Sequence, residues 1–377
     1  MVTTAAISMW ISNTATAMLM LPIALALVKE IGSSQEDASK YRSFSMALLF
    51  GVGYAASIGG IGTLIGTPPN IIFATQVNRL FPEAPEITFF DWLKVGLPLV
   101  MLFLPLAWWY LVKVAFPQKI RNLPGGKRVI RKKIRDLGPM SRGEILTFIV
   151  FLLTAMGWVF RKDIDVGLFT LKGWSGLLGV EGHVHDSTVA IGAAILLFVL
   201  PVNLREGSFV LDWKHARKIP WGILLLFGGG LALASQFQAS GLTSWIASHL
   251  HALKAVPVLP ALVIVVLLID FLTEITSNTA VTTIFLPVLA ATAVGMGTHP
   301  YLFMVAGTIA ASLAFMLPVA TPPNAVIFSS GLITIPRMAR TGFIMNILGM
   351  IVTTAIVYLV AVPVFRITLS RVPQWVH

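Results

Sequence analysis

Cysteine is absent from the 377-residue chain, which excludes disulfides and thiolate metal sites. Charge is scarce. Asp, Glu, Lys and Arg together make up 11% of residues, against about 25% in a soluble globular domain. Acids are the scarcer sign, 16 against 27 Lys and Arg. The opening residues carry neither a basic n-region nor a small-residue cleavage site, so no signal peptide is expected there. What is plentiful is apolar: 56% hydrophobic, with a mean hydropathy of +0.85. Such a chain reads as a multi-spanning membrane protein, with the lipid bilayer as its medium. Its net charge of +11 then reports cytoplasmic loops, and no nucleic-acid partner is expected.

Apolar segments run over 1–28, 41–78, 95–116, 143–160, 187–204, 221–238, 257–294, 300–332 and 342–365. Most are long enough to span as a helix of about 20 residues. Three are anomalous. Segment 257–294 is too long for one span and carries Glu-Ile-Thr-Ser-Asn-Thr (274–279) at its middle. Segments 41–78 and 300–332 are interrupted by Gly-Thr-Pro-Pro-Asn (66–70) and Ala-Thr-Pro-Pro-Asn (320–324). A Pro-Pro pair lacks two backbone donors and breaks a helix. If 257–294 is a re-entrant hairpin and 29–42 is cytoplasmic, the inner loops collect 19 Lys and Arg and the outer loops 8. That agrees with the positive-inside rule, although a simple span would move only Arg337, Arg340, Arg366 and Arg371.

The chain repeats itself. Ser-Asn-Thr-Ala-Thr-Ala-Met-Leu-Met-Leu-Pro (12–22) aligns without a gap on Ser-Asn-Thr-Ala-Val-Thr-Thr-Ile-Phe-Leu-Pro (277–287). Each is followed by a Thr-Pro-Pro-Asn, 55 residues after Ser12 and 44 after Ser277. With the topology above, the halves enter the membrane from opposite sides. This predicts an all-α polytopic, inverted-repeat transporter with re-entrant hairpins and two discontinuous helices, whose site lies near the midplane. The expected division is 1–116 for the first repeat of the transport domain, 117–142 for a basic cytoplasmic loop, 143–250 for scaffold spans, and 257–365 for the second repeat. By comparison of the halves, roughly 120 residues have no counterpart before Ser12. N-terminal scaffold spans and the first arm of the first hairpin are therefore expected to be missing from this chain.

Polar groups buried in hydrocarbon cost several kcal/mol each if unpaired. One Ser-Asn-Thr would read as polar glue between helices. Two copies with matching flanks read as a site. Half-helix ends at mid-membrane offer free N–H groups and positive dipole ends to an anion. Unwound carbonyls and Ser, Thr and Asn oxygens can hold a small hard cation such as Na⁺. No Lys or Arg lies near either motif apart from the segment ends, so bound cations and dipoles would balance the anion. Two such tips match a molecule with two carboxylates. Gly66 and Ala320 are small enough to let a carbonyl approach an ion, and Thr67 and Thr321 follow as hydroxyl donors.

Asp270 and Glu274 lie four apart before the second motif, where an intramembrane acid is a functional candidate. They could carry protons or couple cations, or simply make an interhelical hydrogen bond. The matching residues of the first half are Ala5 and Met9. Gly228 to Gly230 lacks the Lys-Ser/Thr of a phosphate loop and reads as close helix packing. His183 and His185 read as a solvated loop, and Arg128 to Arg135 as a cytoplasmic loop touching lipid.

The stretches around Ser12, Thr67, Ser277 and Thr321, with Pro-Trp-Gly-Ile-Leu-Leu-Leu-Phe-Gly-Gly-Gly (220–230), resemble the divalent anion/sodium symporter family over essentially the whole chain. That family carries dicarboxylates, citrate or sulfate. The resemblance implies a homodimer whose transport domain moves as an elevator, with one substrate site, two Na⁺ sites and no organic cofactor. By resemblance, one Na⁺ site comprises Ser8, Ser12, Asn13 and Gly66, and the other Thr273, Thr276, Asn278 and Ala320. Asn13, Thr14, Ser277, Asn278 and Thr279 correspond to carboxylate ligands, with Thr67, Thr321 and Pro322 beside them. The expected function is Na⁺-coupled symport of a C4-dicarboxylate across a bacterial inner membrane. Sulfate or citrate symport, Na⁺-independent exchange and an anion channel are the alternatives. An intramembrane enzyme is disfavoured, since Asp270 and Glu274 have no intramembrane His partner.

Overall fold

The computed structural model describes residues 1–34, 38–117, 134–165, 170–218 and 257–376, with isolated positions at 131 and within 222–245. The expected span 221–238 is described only at such isolated positions, and Gly230 and most of the basic stretch 128–135 fall outside the described residues. The chain forms two compact units: Met1–Ile87 with Asp91–Val129 and Leu224–His377, and Thr88–Phe90 with Ile130–Ile223.

The first unit is helical. A short α1 (Val2–Ser8) leads to α2 (Asn13–Ser34), α3 (Ala38–Gly60), α4 (Pro68–Leu80) and α5 (Phe89–Trp109). α1 ends at Ser8, ahead of the Ser-Asn-Thr at 12–14. Six described helices are long and apolar enough to cross a membrane. Two of them are consecutive within the expected hairpin, which is split into two helices of 18 residues each (Val258–Ile275 and Asn278–Gly295). Only Thr276 and Ser277 separate them, and both have extended backbone (φ −137°, ψ 169° and φ −69°, ψ 132°). Two successive residues outside helical space end one helix and start the next.

The two interrupted segments are broken as expected, but upstream of the prolines. α3 stops at Gly60 and α4 starts at Pro68. In the second half eleven residues separate the helix Tyr301–Ala310 from Pro322–Phe328. The prolines therefore open the second half-helix, where a missing N–H costs nothing and φ is already helical. The unwinding lies ahead of them. Each break is followed by a long helix that ends in a π turn. α5 ends in Tyr110–Ala115, and Ile335–Ile356 ends in Val357–Ala361. Such turns recur near functional sites.

The packing interleaves the halves. α2 packs on the helix Pro322–Phe328, and the helix Asn278–Gly295 packs on α4. Each tip helix thus meets the half-helix opened by the other repeat's Thr-Pro-Pro-Asn. Fully buried Phe50, Tyr54, Phe103 and Phe315 form the aromatic centre. Tyr54 meets Phe315 edge-on at 4.9 Å, and Phe103 meets Phe315 at 5.9 Å. Aromatic pairs in this geometry contribute about 0.5–1.5 kcal/mol beyond their burial.

The second unit pairs the helix Arg142–Val159 with Asp186–Val199. Ser141 and Glu144 form a reciprocal capping box at the start of the former: Ser141 N donates to Glu144 Oε2 at 2.6 Å and Glu144 N to Ser141 Oγ at 3.3 Å. Arg161, only 3% exposed, donates to Asp186 Oδ1 at 2.7 Å and to Val184 O at 2.8 Å, while Phe89 N donates to Asp186 Oδ2 at 2.8 Å. The all-α expectation needs one amendment here. Two short antiparallel ladders, Ile164–Asp165 with Thr170–Leu171 and Pro201–Asn203 with Ser208–Phe209, lie in the connections. Chain leaving a helix must satisfy its own backbone groups, and short ladders do that.

Candidate functional site

At the first tip, three oxygens converge on the Asn13 amide. With its nitrogen turned toward them, it donates to Ser8 Oγ at 2.7 Å, to Ala56 O at 3.1 Å and to Gly66 O at 3.3 Å. Ser8 Oγ in turn donates to Ala56 O at 2.7 Å. This arrangement draws together the end of α1, the start of α2, the end of α3 and the break before α4. Close approach requires Gly60, because a Cβ there would collide with the Asn13 amide. Gly66 is under the same demand, since its Cβ would strike the Gly60 carbonyl.

The second tip repeats the arrangement. Thr273 stands in the place of Ser8. Its Oγ1 lies 2.7 Å from Asn278 Oδ1 and 3.0 Å from Ala311 O. Thr273 is fully buried. Both tips therefore share one hydroxyl, one Asn side chain and a carbonyl of the adjoining broken helix, and the first adds Gly66 O. All the oxygens are hard and uncharged, a donor set suited to Na⁺.

The breaks are held by two asparagines. Asn70 Nδ2 lies within reach of Thr63 O at 2.7 Å and of Gly60 O and Ile61 O at 3.3 Å each. Asn324 Nδ2 donates to Leu317 O at 3.0 Å and to Ala314 O at 3.1 Å. Both are fully buried. Free backbone carbonyls in an unwound segment must find partners in a membrane, and these side chains supply the donors. Thr67 and Thr321 cap the half-helices with nearly identical extended backbone (φ −142°, ψ 144° and φ −138°, ψ 147°). Thr321 Oγ1 also accepts from Asn324 N at 3.3 Å.

The second break has one further support. Glu274 accepts from Phe315 N at 2.7 Å, Met316 N at 2.9 Å, Leu317 N at 3.1 Å and Asn346 Nδ2 at 2.8 Å. Its carboxylate clamps the three N–H groups freed by the unwinding. The first break has Met9 at this position; instead, Thr63 Oγ1 bonds Met9 O, and Trp92 Nε1 donates to Ile61 O at 2.9 Å.

A family model described as the sodium:sulfate symporter transmembrane region matches residues 1–366. The chain belongs to this family. Among its relatives is the sodium-dependent dicarboxylate transporter SdcS of Staphylococcus saprophyticus, 42% identical over 98% of this chain and 70% of that protein. SdcS of Staphylococcus aureus (strain bovine RF122 / ET3-1) is 43% identical over the same shares. A sodium:sulfate symporter is a membrane transporter, not an enzyme, and this chain's apolar helices agree with that.

Among the site residues expected in this symporter, the structure brings together Ser8, Asn13 and Gly66 at one tip and Thr273 and Asn278 at the other. Ser12 and Ser277 are exposed at the tips, and Ser12 Oγ accepts from Ala15 N at 3.3 Å. Thr276 does not join its group: its hydroxyl bonds back to Leu272 O at 2.8 Å. Ala320 is buried in the second break, with its N–H bonded to Leu317 O at 3.2 Å. Thr14 and Thr279 are half-buried in the first turns of their helices, Thr67 and Thr321 are buried caps, and Pro322 is exposed. Asp270 is buried, and its Oδ1 has no partner among the described residues. His183 and His185 are exposed, as read for a solvated loop. Asn70 and Asn324 were not singled out from the sequence, although their place in a duplicated motif was the available signal.

Proposed function

We propose that the chain carries a C4-dicarboxylate such as succinate, malate or fumarate across the membrane together with Na⁺. The observation that carries this is the duplicated tip: Ser8 with Asn13, and Thr273 with Asn278, each against a carbonyl of a broken helix. The relatives named sodium-dependent dicarboxylate transporters support the same pairing of ion and substrate.

Each tip holds one Na⁺. With Asn13 turned so that Oδ1 faces inward, its oxygen joins Ser8 Oγ, Ala56 O and Gly66 O around one ion. Thr273, Asn278 and Ala311 do the same at the other end, with Ala320 nearby. The substrate lies between the tips. One carboxylate takes donors from Asn13 and Thr14, the other from Ser277, Asn278 and Thr279, with Thr67, Thr321 and Pro322 bordering them. Bound Na⁺ and the helix N-termini balance its charge. Without Na⁺ the tips are not ordered for the anion, so the ion and the substrate raise each other's affinity.

The two repeats are inverted, and 257–294 is a re-entrant hairpin whose tip sits at mid-membrane. The hairpins and broken helices move together as an elevator in a homodimer. In the test, proteoliposomes take up radiolabelled succinate with and without an inward Na⁺ gradient, with malate, citrate and sulfate as competitors. Gradient-driven, saturable uptake blocked by malate is expected. Uptake blocked only by sulfate would reassign the substrate, and unsaturable flux without Na⁺ dependence would indicate a channel.

A further inference from the structure

Away from the tips, a cavity of about 1100 Å³ lies among the ends of three long apolar helices of the first unit. Arg42 enters it from the start of the span Tyr41–Gly60, and Arg337 and Arg340 from the start of Ile335–Val364. The π turn that ends the third span, Phe89–Ala115, supplies the remaining wall. Arg42 and Arg340 are exposed and Arg337 is half-buried. Among the described residues, none of the three makes an ion pair, and no carboxylate lines the cavity. Three like charges around one space repel one another unless an anion joins them.

Two further features identify the anion. Guanidinium groups match the oxygens of phosphate with paired hydrogen bonds, which favours phosphate over a point charge. The cavity also lies at the ends of three membrane-length helices, the depth of lipid headgroups. Its walls are mixed: Met46, Phe116 and Ile344 stand beside the arginines, and apolar surface there suits the glycerol and first methylenes of a lipid. We infer that the cavity binds the phosphate headgroup of an anionic phospholipid, through Arg42, Arg337 and Arg340. Arg337 and Arg340 begin the long helix that follows the second break and carries Asn346, a partner of Glu274. A lipid held there steadies that helix.

The test is thermal unfolding of the full purified chain in neutral detergent with added lipid. Phosphatidylglycerol should raise the unfolding temperature by several degrees, phosphatidylcholine should not, and high salt should erase the rise. Arg337→Gln with Arg340→Gln should abolish the rise. Arg42→Gln, an exposed change with little risk to folding, should reduce it. Arg337→Lys with Arg340→Lys should retain part of it. Inorganic phosphate or succinate reproducing the whole effect at millimolar concentration would overturn the lipid assignment. No rise with phosphatidylglycerol, or an undiminished rise in Arg42→Gln, would overturn the site.

Discussion

Thr273 Oγ1 stands 2.7 Å from Asn278 Oδ1, across the two extended residues that separate one helix from the next. Ser8 Oγ and the Asn13 side chain are likewise 2.7 Å apart, there with the amide nitrogen facing the hydroxyl. In both tips the hydroxyl also meets a carbonyl near the end of the adjoining broken helix. The shared geometry says that each tip is built to gather oxygens, and that the two Asn side chains are its adjustable members.

Replacing either Asn should therefore disable the transporter as a whole. Asn13→Ala and Asn278→Ala each remove one side-chain oxygen and one amide donor from a buried polar cluster. The loss of about 1–3 kcal/mol per partner corresponds to roughly 5- to 150-fold weaker ion or substrate binding. Na⁺-driven succinate uptake per folded protein should fall about 5-fold or more in each variant, beyond the lowering of the unfolding temperature that the unpaired partners cause. Full uptake in either would show that its tip is not part of the site.

Glu274→Gln tests the clamp on the second break. The carboxylate accepts four hydrogen bonds, three of them from consecutive backbone N–H groups. The amide turns an NH₂ toward at least one of those donors, leaving it unpaired at a cost of about 1–3 kcal/mol. The expected result is a lower unfolding temperature than in Met9→Gln, the matching change in the first half. Equal unfolding temperatures would mean that the clamp contributes nothing.

In the second unit, Arg161→Gln should be among the most damaging single changes. It leaves Asp186 short of its cation in a site where Arg161 is 3% exposed. Breaking such a pair costs about 3–5 kcal/mol. Limited proteolysis of the connections around 161–186 would detect the loosening, and an unchanged cleavage rate would contradict it.

His299 gives a pH dependence. It lies beyond the end of the helix Asn278–Gly295, between Tyr301 and Trp375, with ring centroids at 4.8 and 5.2 Å. Burial lowers its pKa to about 4, below the ordinary 6.5. As pH falls from about 6.5 to 4, the unfolded chain takes up a proton that the folded chain refuses. Folding then loses roughly 3 kcal/mol across that window and nothing above it. The loss should vanish in His299→Gln, measured as the difference in unfolding temperature between pH 7.5 and pH 5. An equal drop in both proteins would rule out His299 as its source.

Much of this was legible in the sequence because the repeat is short-range and exact at the residues that matter. Ser12 to Pro22 and Ser277 to Pro287 mark two helix starts, and two Thr-Pro-Pro-Asn motifs mark two interrupted helices. The exact place of the breaks was not legible. Prolines punctuate strongly, but here they sit at the first turns of half-helices, and the unwinding starts seven residues earlier at Ile61 and eleven earlier at Ala311. Those stretches are mixed in composition, with Gly62, Thr63 and Gly66 in the first and Ser312 and Pro318 in the second, and their backbone is held by groups outside them: Trp92, Glu274 and the two asparagines. The clamp role of Glu274 was hidden for the same reason, since its partners lie 41 to 72 residues away. The hydrogen bond from Thr276 Oγ1 back to Leu272 O was not legible either, because it depends only on the side-chain rotamer.

If Na⁺ completes the two tips and so creates the anion site, succinate binding depends on Na⁺. The most direct measurement is equilibrium binding of radiolabelled succinate to the purified protein as Na⁺ is titrated against K⁺ at constant ionic strength. Succinate affinity should rise with Na⁺, with a Hill coefficient above one, and the rise should flatten in both Asn13→Ala and Asn278→Ala. Succinate binding of the same strength in K⁺ alone would contradict the account.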